Sequence, residues 1–186
     1  MTRSFTLLLL VLGACTGDPY KDDSTTDDTN TTDDTNTTDD TNTDDTDDSG
    51  TASKLIGSWL SEGENLSPLF AGSFFKYVSV SAVFVADGTY DVQAVDQAGS
   101  TYDLTGTYTI DETTTPASIL LNQATPNVVT AEGIYEVDDA DLLTYEVVQT
   151  DPNPYSFVAP TPETGFGSTS GPGLNPGDNV QKYVRQ

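Results

Sequence analysis

The chain has 186 residues and a formal net charge of −24, with thirty Asp and Glu against six Lys and Arg. An acidic surface repels phosphate backbones, which argues against nucleic acid as a partner. With no histidine and one cysteine, His-dependent catalytic triads, His-based zinc sites and intrachain disulfides are excluded by inventory, and no metal or cofactor is expected.

The chain opens with one positive charge, Arg3, followed by the short apolar stretch Phe5 to Ala14 and then Cys15. This is the layout of a secretory signal, and the stretch is too short to cross a bilayer as a helix. Leu12-Gly13-Ala14-Cys15 closely resembles the bacterial lipobox. The resemblance implies that residues 1–14 are a lipoprotein signal peptide and that Cys15 carries a diacylglycerol thioether and an acylated amino terminus. Acyl chains on one residue make a stable anchor, because each buried methylene contributes about 0.8 kcal/mol. The alternative is a plain signal with an incidental cysteine. Thr16 follows the cysteine where an Asp would be read as an inner-membrane retention signal, so the expected location is the cell envelope, at the outer membrane.

Residues 15–53 form the next segment. Thr25-Thr26-Asp27-Asp28-Thr29-Asn30 recurs unchanged at 31–36 and 37–42, and Thr43 to Asp48 continue the theme. Without apolar side chains the repeat cannot recover the roughly 1 to 2 kcal/mol per residue that ordering a backbone costs, so a disordered tether is expected. Repulsion between paired aspartates extends it, with a reach of at most ~130 Å. Calcium binding is the functional alternative, but the repeat lacks the turn glycine and bidentate Glu of known loops. Asn30 and Asn36 begin N-glycosylation patterns, which are usually silent in the bacterial setting a lipobox implies.

From Lys54 onward the apolar period is two. Tyr102, Leu104, Gly106, Tyr108 and Ile110 share one face, with Asp103, Thr105, Thr107 and Thr109 opposite, which is a half-buried strand. Similar runs cover Leu55 to Leu60, Tyr77 to Ala86, Thr89 to Asp96, Ser118 to Gln123, Thr130 to Val137, Leu142 to Thr150 and Asn179 to Arg185. Asp87-Gly88, Asp96 to Ser100 and Asp138 to Asp141 read as hairpin turns between sequential neighbours. Only Leu66 to Phe75 offers an amphipathic helix. The expectation is therefore an all-β fold for residues 54–186: an antiparallel up-and-down meander of about eight strands, forming a barrel or a closely related sandwich.

Leu55-Ile56-Gly57-Ser58-Trp59 has the Gly-x-Trp arrangement that opens lipocalins and bacterial lipocalin-like domains, on the first strand as it is there. The hairpins around Gly88-Thr89-Tyr90, Gly106-Thr107-Tyr108 and Gly133-Ile134-Tyr135 look like the repeated hairpins of the bacterial domains. This resemblance implies a lipocalin-like barrel in which Gly57 and Trp59 form a structural motif with Arg185, the arginine covering the first-strand tryptophan. Asp151 to Asp178, rich in Pro and Gly, is longer than a meander needs and reads either as a lid, with Tyr155, Phe157 and Phe166, or as an irregular crossing that buries those rings as core.

Three functional readings follow. The favoured one is a non-catalytic envelope interaction or structural module, projected from the membrane by Cys15 and the tether toward an envelope protein. The second is binding of a small apolar or aromatic ligand in a barrel interior lined by Tyr90, Tyr102, Tyr108, Val92 and Leu104, with Phe157 and Phe166 above it. Barrels of about eight strands are at the size where the interior is either filled or holds one ligand. A tyrosine-lined cavity of about 300 Å³ or more favours binding, and a filled barrel favours the interaction role. The third is a carboxylate-dependent hydrolase, for which Glu132 and Glu136 are the nearest acid pair; both read better as strand-surface residues. Asp138, Asp139 and Asp141 read as a solvated turn rather than a metal site. A monomer is expected.

Overall fold

The computed structural model describes residues 52–186; the leader, Cys15 and the repeats up to Thr51 lie outside the described residues. Eight strands run in chain order: β1 (Gly57–Glu62), β2 (Tyr77–Phe84), β3 (Thr89–Asp96), β4 (Thr101–Asp111), β5 (Ala117–Thr125), β6 (Val129–Val137), β7 (Leu142–Asp151) and β8 (Gln181–Arg185). Each pairs antiparallel with the next, and β8 returns to β1 through Trp59 opposite Arg185 and Leu60 opposite Val184, so the sheet closes as an up-and-down barrel.

Period-two patterning produces this closure. On β2, Val80, Ala82 and Phe84 are buried inside while Val83 is exposed. The register slips between Tyr77 and Ser79, a bulge that keeps Tyr77 on the buried side despite the odd spacing. The hairpin turns share one device, an Asp whose carboxylate accepts hydrogen bonds from the backbone just ahead of it. Asp87 accepts from Thr89 N and Oγ1 at 2.9 and 2.6 Å, Asp96 from Ala98 N and Ser100 N, and Asp138 from Ala140 N and Leu142 N. At Gly88, φ is +84°, a conformation a side chain would strain.

One end of the barrel is sealed. Leu55, Trp59, Phe84, Tyr108, Tyr135 and Leu143 are buried there, and residues 53–56 are tied across it. Ser53 Oγ and Tyr135 OH both donate to Glu112 Oε1 at 2.7 Å, and Lys54 Nζ reaches Asp139 at 3.0 Å. Trp59 Nε1 donates to Leu55 O at 2.8 Å. The Arg185 guanidinium lies 4.2 Å from the Trp59 ring centroid, with Nη1 on Ile56 O at 2.9 Å, Nη2 on Lys54 O at 2.6 Å and Nε on Asp141 at 2.7 Å. Gly57, at φ +139°, leaves room for this group, since a Cβ there would sit 2.5 Å from Nη1.

The opposite end carries the long connections. Leu66 to Phe75 does not form the helix its pattern suggests: only one turn, α1 (Pro68–Ala71), is helical, preceded by a 3-10 turn at Gly63–Asn65. Ser67 caps α1 by accepting from Phe70 N, Pro68 occupies its first position, and Gly72 ends it. The 152–180 connection is both cover and crossing. Part of it reaches the barrel mouth with Phe157 and Leu174. The remainder lies on the outside of the sheet, where outward-facing Glu146 and Ile134 are fully buried. Glu146 accepts from Gly167 N at 2.5 Å and Thr169 N at 3.0 Å, pinning the loop to β7. Both connections are locked together by Gln181, which accepts from Ser67 N at 2.8 Å and donates to Ser61 Oγ at 2.9 Å, all three side chains being buried.

Candidate ligand site

Inside the barrel, between the sealed end and the mouth, lies a cavity of about 160 Å³. Its walls come from alternate residues of the strands: Val80 on β2, Tyr90, Val92 and Ala94 on β3, Leu104 on β4, Leu121 and Gln123 on β5, Val129 and Ala131 on β6, and Tyr145, Val147 and Gln149 on β7. Tyr183 of β8 completes the ring, Leu69, Phe70 and Phe75 enter from the β1–β2 connection, and Phe157, Leu174 and Asn179 enter from the β7–β8 connection. The space exists because small side chains, Ala94 and Ala131, stand where large ones would fill it, and because the tyrosine rings lean on one another: Tyr145 and Tyr183 meet edge to face at 6.1 Å.

The walls carry no charged side chain. Burial pushes the phenols of Tyr77 and Tyr90 up to about 12 and raises those of Tyr145 and Tyr183 further, so all four are neutral at physiological pH. The hydroxyls of Tyr90 and Tyr145 make no hydrogen bond among the described residues. Three amides stand at the mouth end. Gln123 Nε2 donates to Asn127 O at 2.9 Å, Gln149 Nε2 to Pro152 O at 2.6 Å and Asn179 Nδ2 to Val147 O at 2.7 Å. Each amide thus ties down a loop or strand end with its nitrogen.

Of the residues expected at this site, Tyr90, Val92, Leu104 and Phe157 line the cavity. Tyr102 and Tyr108 do not, although they share the inward face of β4. Tyr108 sits at the sealed end, its ring edge-to-face with Phe84 at 5.2 Å and its hydroxyl on Val85 O at 2.9 Å. Tyr102 is at the rim, where its hydroxyl donates to Asp96 at 3.0 Å and its ring lies tilted beside that of Tyr77, 5.7 Å between centroids. Phe166 belongs to the part of the long loop that lies on the outer sheet and is absent from the walls. Phe157 is held in place by Asn153, whose side chain brackets it with 2.8 Å bonds to its N and O, and by close packing on Gly171.

Sequence reasoning missed Phe70, Phe75, Tyr77, Tyr145, Tyr183 and the three amides. The acid candidates are elsewhere: Glu132 and Glu136 are exposed on the outer face of β6, Glu132 accepting from Thr150 Oγ1 at 2.9 Å. Asp138 closes its turn, Asp139 pairs with Lys54 and Asp141 with Arg185. No protein-family model, curated protein or solved structure matches the chain.

Proposed function

We propose that this chain is a membrane-tethered binding module whose barrel takes one small apolar or aromatic molecule through the mouth between the β1–β2 and β7–β8 connections. In this reading a lipid on Cys15 anchors it in the cell envelope, at the outer membrane, and the Asp/Thr/Asn segment holds the barrel away from the bilayer. The role is non-catalytic. The Gly57, Trp59 and Arg185 arrangement in a closed meander supports kinship with the lipocalins.

The observation that carries the binding part is the cavity. At about 160 Å³ it falls short of the roughly 300 Å³ expected above of a binding barrel, which is the size of a drug-sized site, yet it is not filled and matches the roughly 150 Å³ apolar cavity that, in an engineered protein, stays dry and takes benzene. A filled barrel would point instead to a contact role. The walls therefore select a ligand of one ring.

Toluene is the simplest probe. Calorimetric titration of the full-length protein should give a single site with an affinity on the order of 0.1 to 1 mM. Ala131→Leu, which fills the cavity from β6, should abolish the heat without lowering stability. Absence of binding to the unaltered protein sinks the receptacle reading. The anchor is tested separately, since Cys15→Ser should leave the protein unprocessed or soluble, and normal membrane fractionation of that variant would remove the lipid from the account.

A further inference from the structure

The amides at the mouth have a direction. A backbone carbonyl can only accept, so a hydrogen bond to Asn127 O, Pro152 O or Val147 O fixes the nitrogen of Gln123, Gln149 or Asn179 on that side and the amide oxygen on the other. Gln149 is buried, and its Oε1 has no hydrogen-bond partner among the described residues. A buried acceptor left unmade is unfavourable, and such groups in native proteins are almost always answered by a donor. Among the residues lining this otherwise apolar cavity, Gln149 therefore carries a buried acceptor in need of a donor.

Resting on the receptacle reading above, we infer that the natural ligand is a neutral one-ring aromatic molecule bearing a hydrogen-bond donor, a phenol or an aryl alcohol, whose donor meets Gln149 Oε1 while its ring lies among Tyr90, Tyr145 and Val147. A carboxylate is disfavoured because no cation lines the walls and Gln149 Oε1 cannot donate to it. An ammonium is disfavoured for the converse reason, since no anion lines them either. This separates the site from a general apolar sink, which would rank ligands by size alone.

The test uses two isomers, p-cresol and anisole, with the same atoms and nearly the same size, of which only the first can donate. Titrated into the full-length protein, p-cresol should bind about tenfold more tightly than anisole, the effect of one hydrogen bond to an otherwise unsatisfied acceptor, and benzoate should not bind. In Gln149→Met the ratio between the isomers should fall toward one, and because both are compared in the same variant a general loss of affinity from loosened loops cancels from the ratio. Equal binding of the isomers to the unaltered protein, or binding of benzoate as tight as that of p-cresol, overturns this inference and leaves the receptacle standing. Failure of both isomers and of toluene removes the receptacle itself. Should Gln149→Met not fold, a crystal of the p-cresol complex decides the same point: a hydroxyl oxygen within about 3.2 Å of Gln149 Oε1 supports the inference, and a hydroxyl directed elsewhere overturns it.

Discussion

Arg185 serves four partners with one planar group: the Trp59 ring, two backbone carbonyls of the segment sealing the barrel, and Asp141 in the β6–β7 turn. Lysine can replace the charge but not the fork. Arg185→Lys should therefore lower stability by about 2 kcal/mol through lost bonds to Lys54 O and Ile56 O and a weaker stack on Trp59. The denaturant midpoint reads this directly, and an unchanged midpoint would mean the guanidinium is ornamental. At this scale, alternation identified a side chain's face but not its height. Tyr90, Tyr102 and Tyr108 all point inward, yet along the barrel axis Tyr102 stands at the rim and Tyr108 at the floor, and only Tyr90 reaches the cavity. Height depends on strand tilt and stagger, which are properties of the closed sheet and not of any one segment.

Among the elements, β7 shows why part of the site was hidden. Its inward residues Tyr145, Val147 and Gln149 line the cavity, but Glu146 on the outer side is also buried, bonded to Gly167 and Thr169 of the 152–180 connection. With both faces covered, the strand has no polar side against which an inward tyrosine stands out. The β1–β2 connection misleads differently: Leu66, Leu69, Phe70 and Phe74 are spaced as on a helix, yet Pro68 and Gly72 confine the helix to one turn, and Phe70 and Phe75 line the cavity. The hairpins, by contrast, were legible from Asp87-Gly88, Asp96 and Asp138, because their turn chemistry is local. Close strand approach was not. Gly133 on β6 faces the β7 backbone so tightly that a Cβ would collide with Glu146 O and approach Val147 Cα at 2.7 Å. Gly133→Ala should cost 2 kcal/mol or more, on the order of other overpacked sites, and should loosen the β6–β7 ladder. Hydrogen exchange of the β7 amides will report it, and protection equal to the unaltered protein would show that the strands can part without penalty.

For the whole molecule, the cavity has an energetic signature at high pH. Tyr77 and Tyr90 are held at about 12 by burial, against an ordinary value of 10.0, and burial also raises Tyr145 and Tyr183 well above the ordinary value. Below pH 10 these phenols are protonated whether the chain is folded or unfolded, and they contribute nothing to pH dependence. Between pH 10 and 12 the unfolded chain releases protons that the folded barrel retains, so stability should fall as pH rises, by about 1.4 kcal/mol per unit for each tyrosine concerned. Denaturation midpoints at pH 9, 10.5 and 11.5 should decline progressively, and a flat series would place the phenols in water.

Everything proposed for this barrel depends on its interior being an apolar chamber of about 160 Å³ that a small molecule can enter. A crystal pressurised with xenon tests it most directly, because xenon enters apolar cavities of about this size without needing any specific polar contact. A xenon atom is expected inside the barrel between Tyr90, Tyr145 and Val147, with Trp59 and Arg185 undisturbed below it. Xenon found only at the surface, or an interior closed by collapsed side chains, would contradict it.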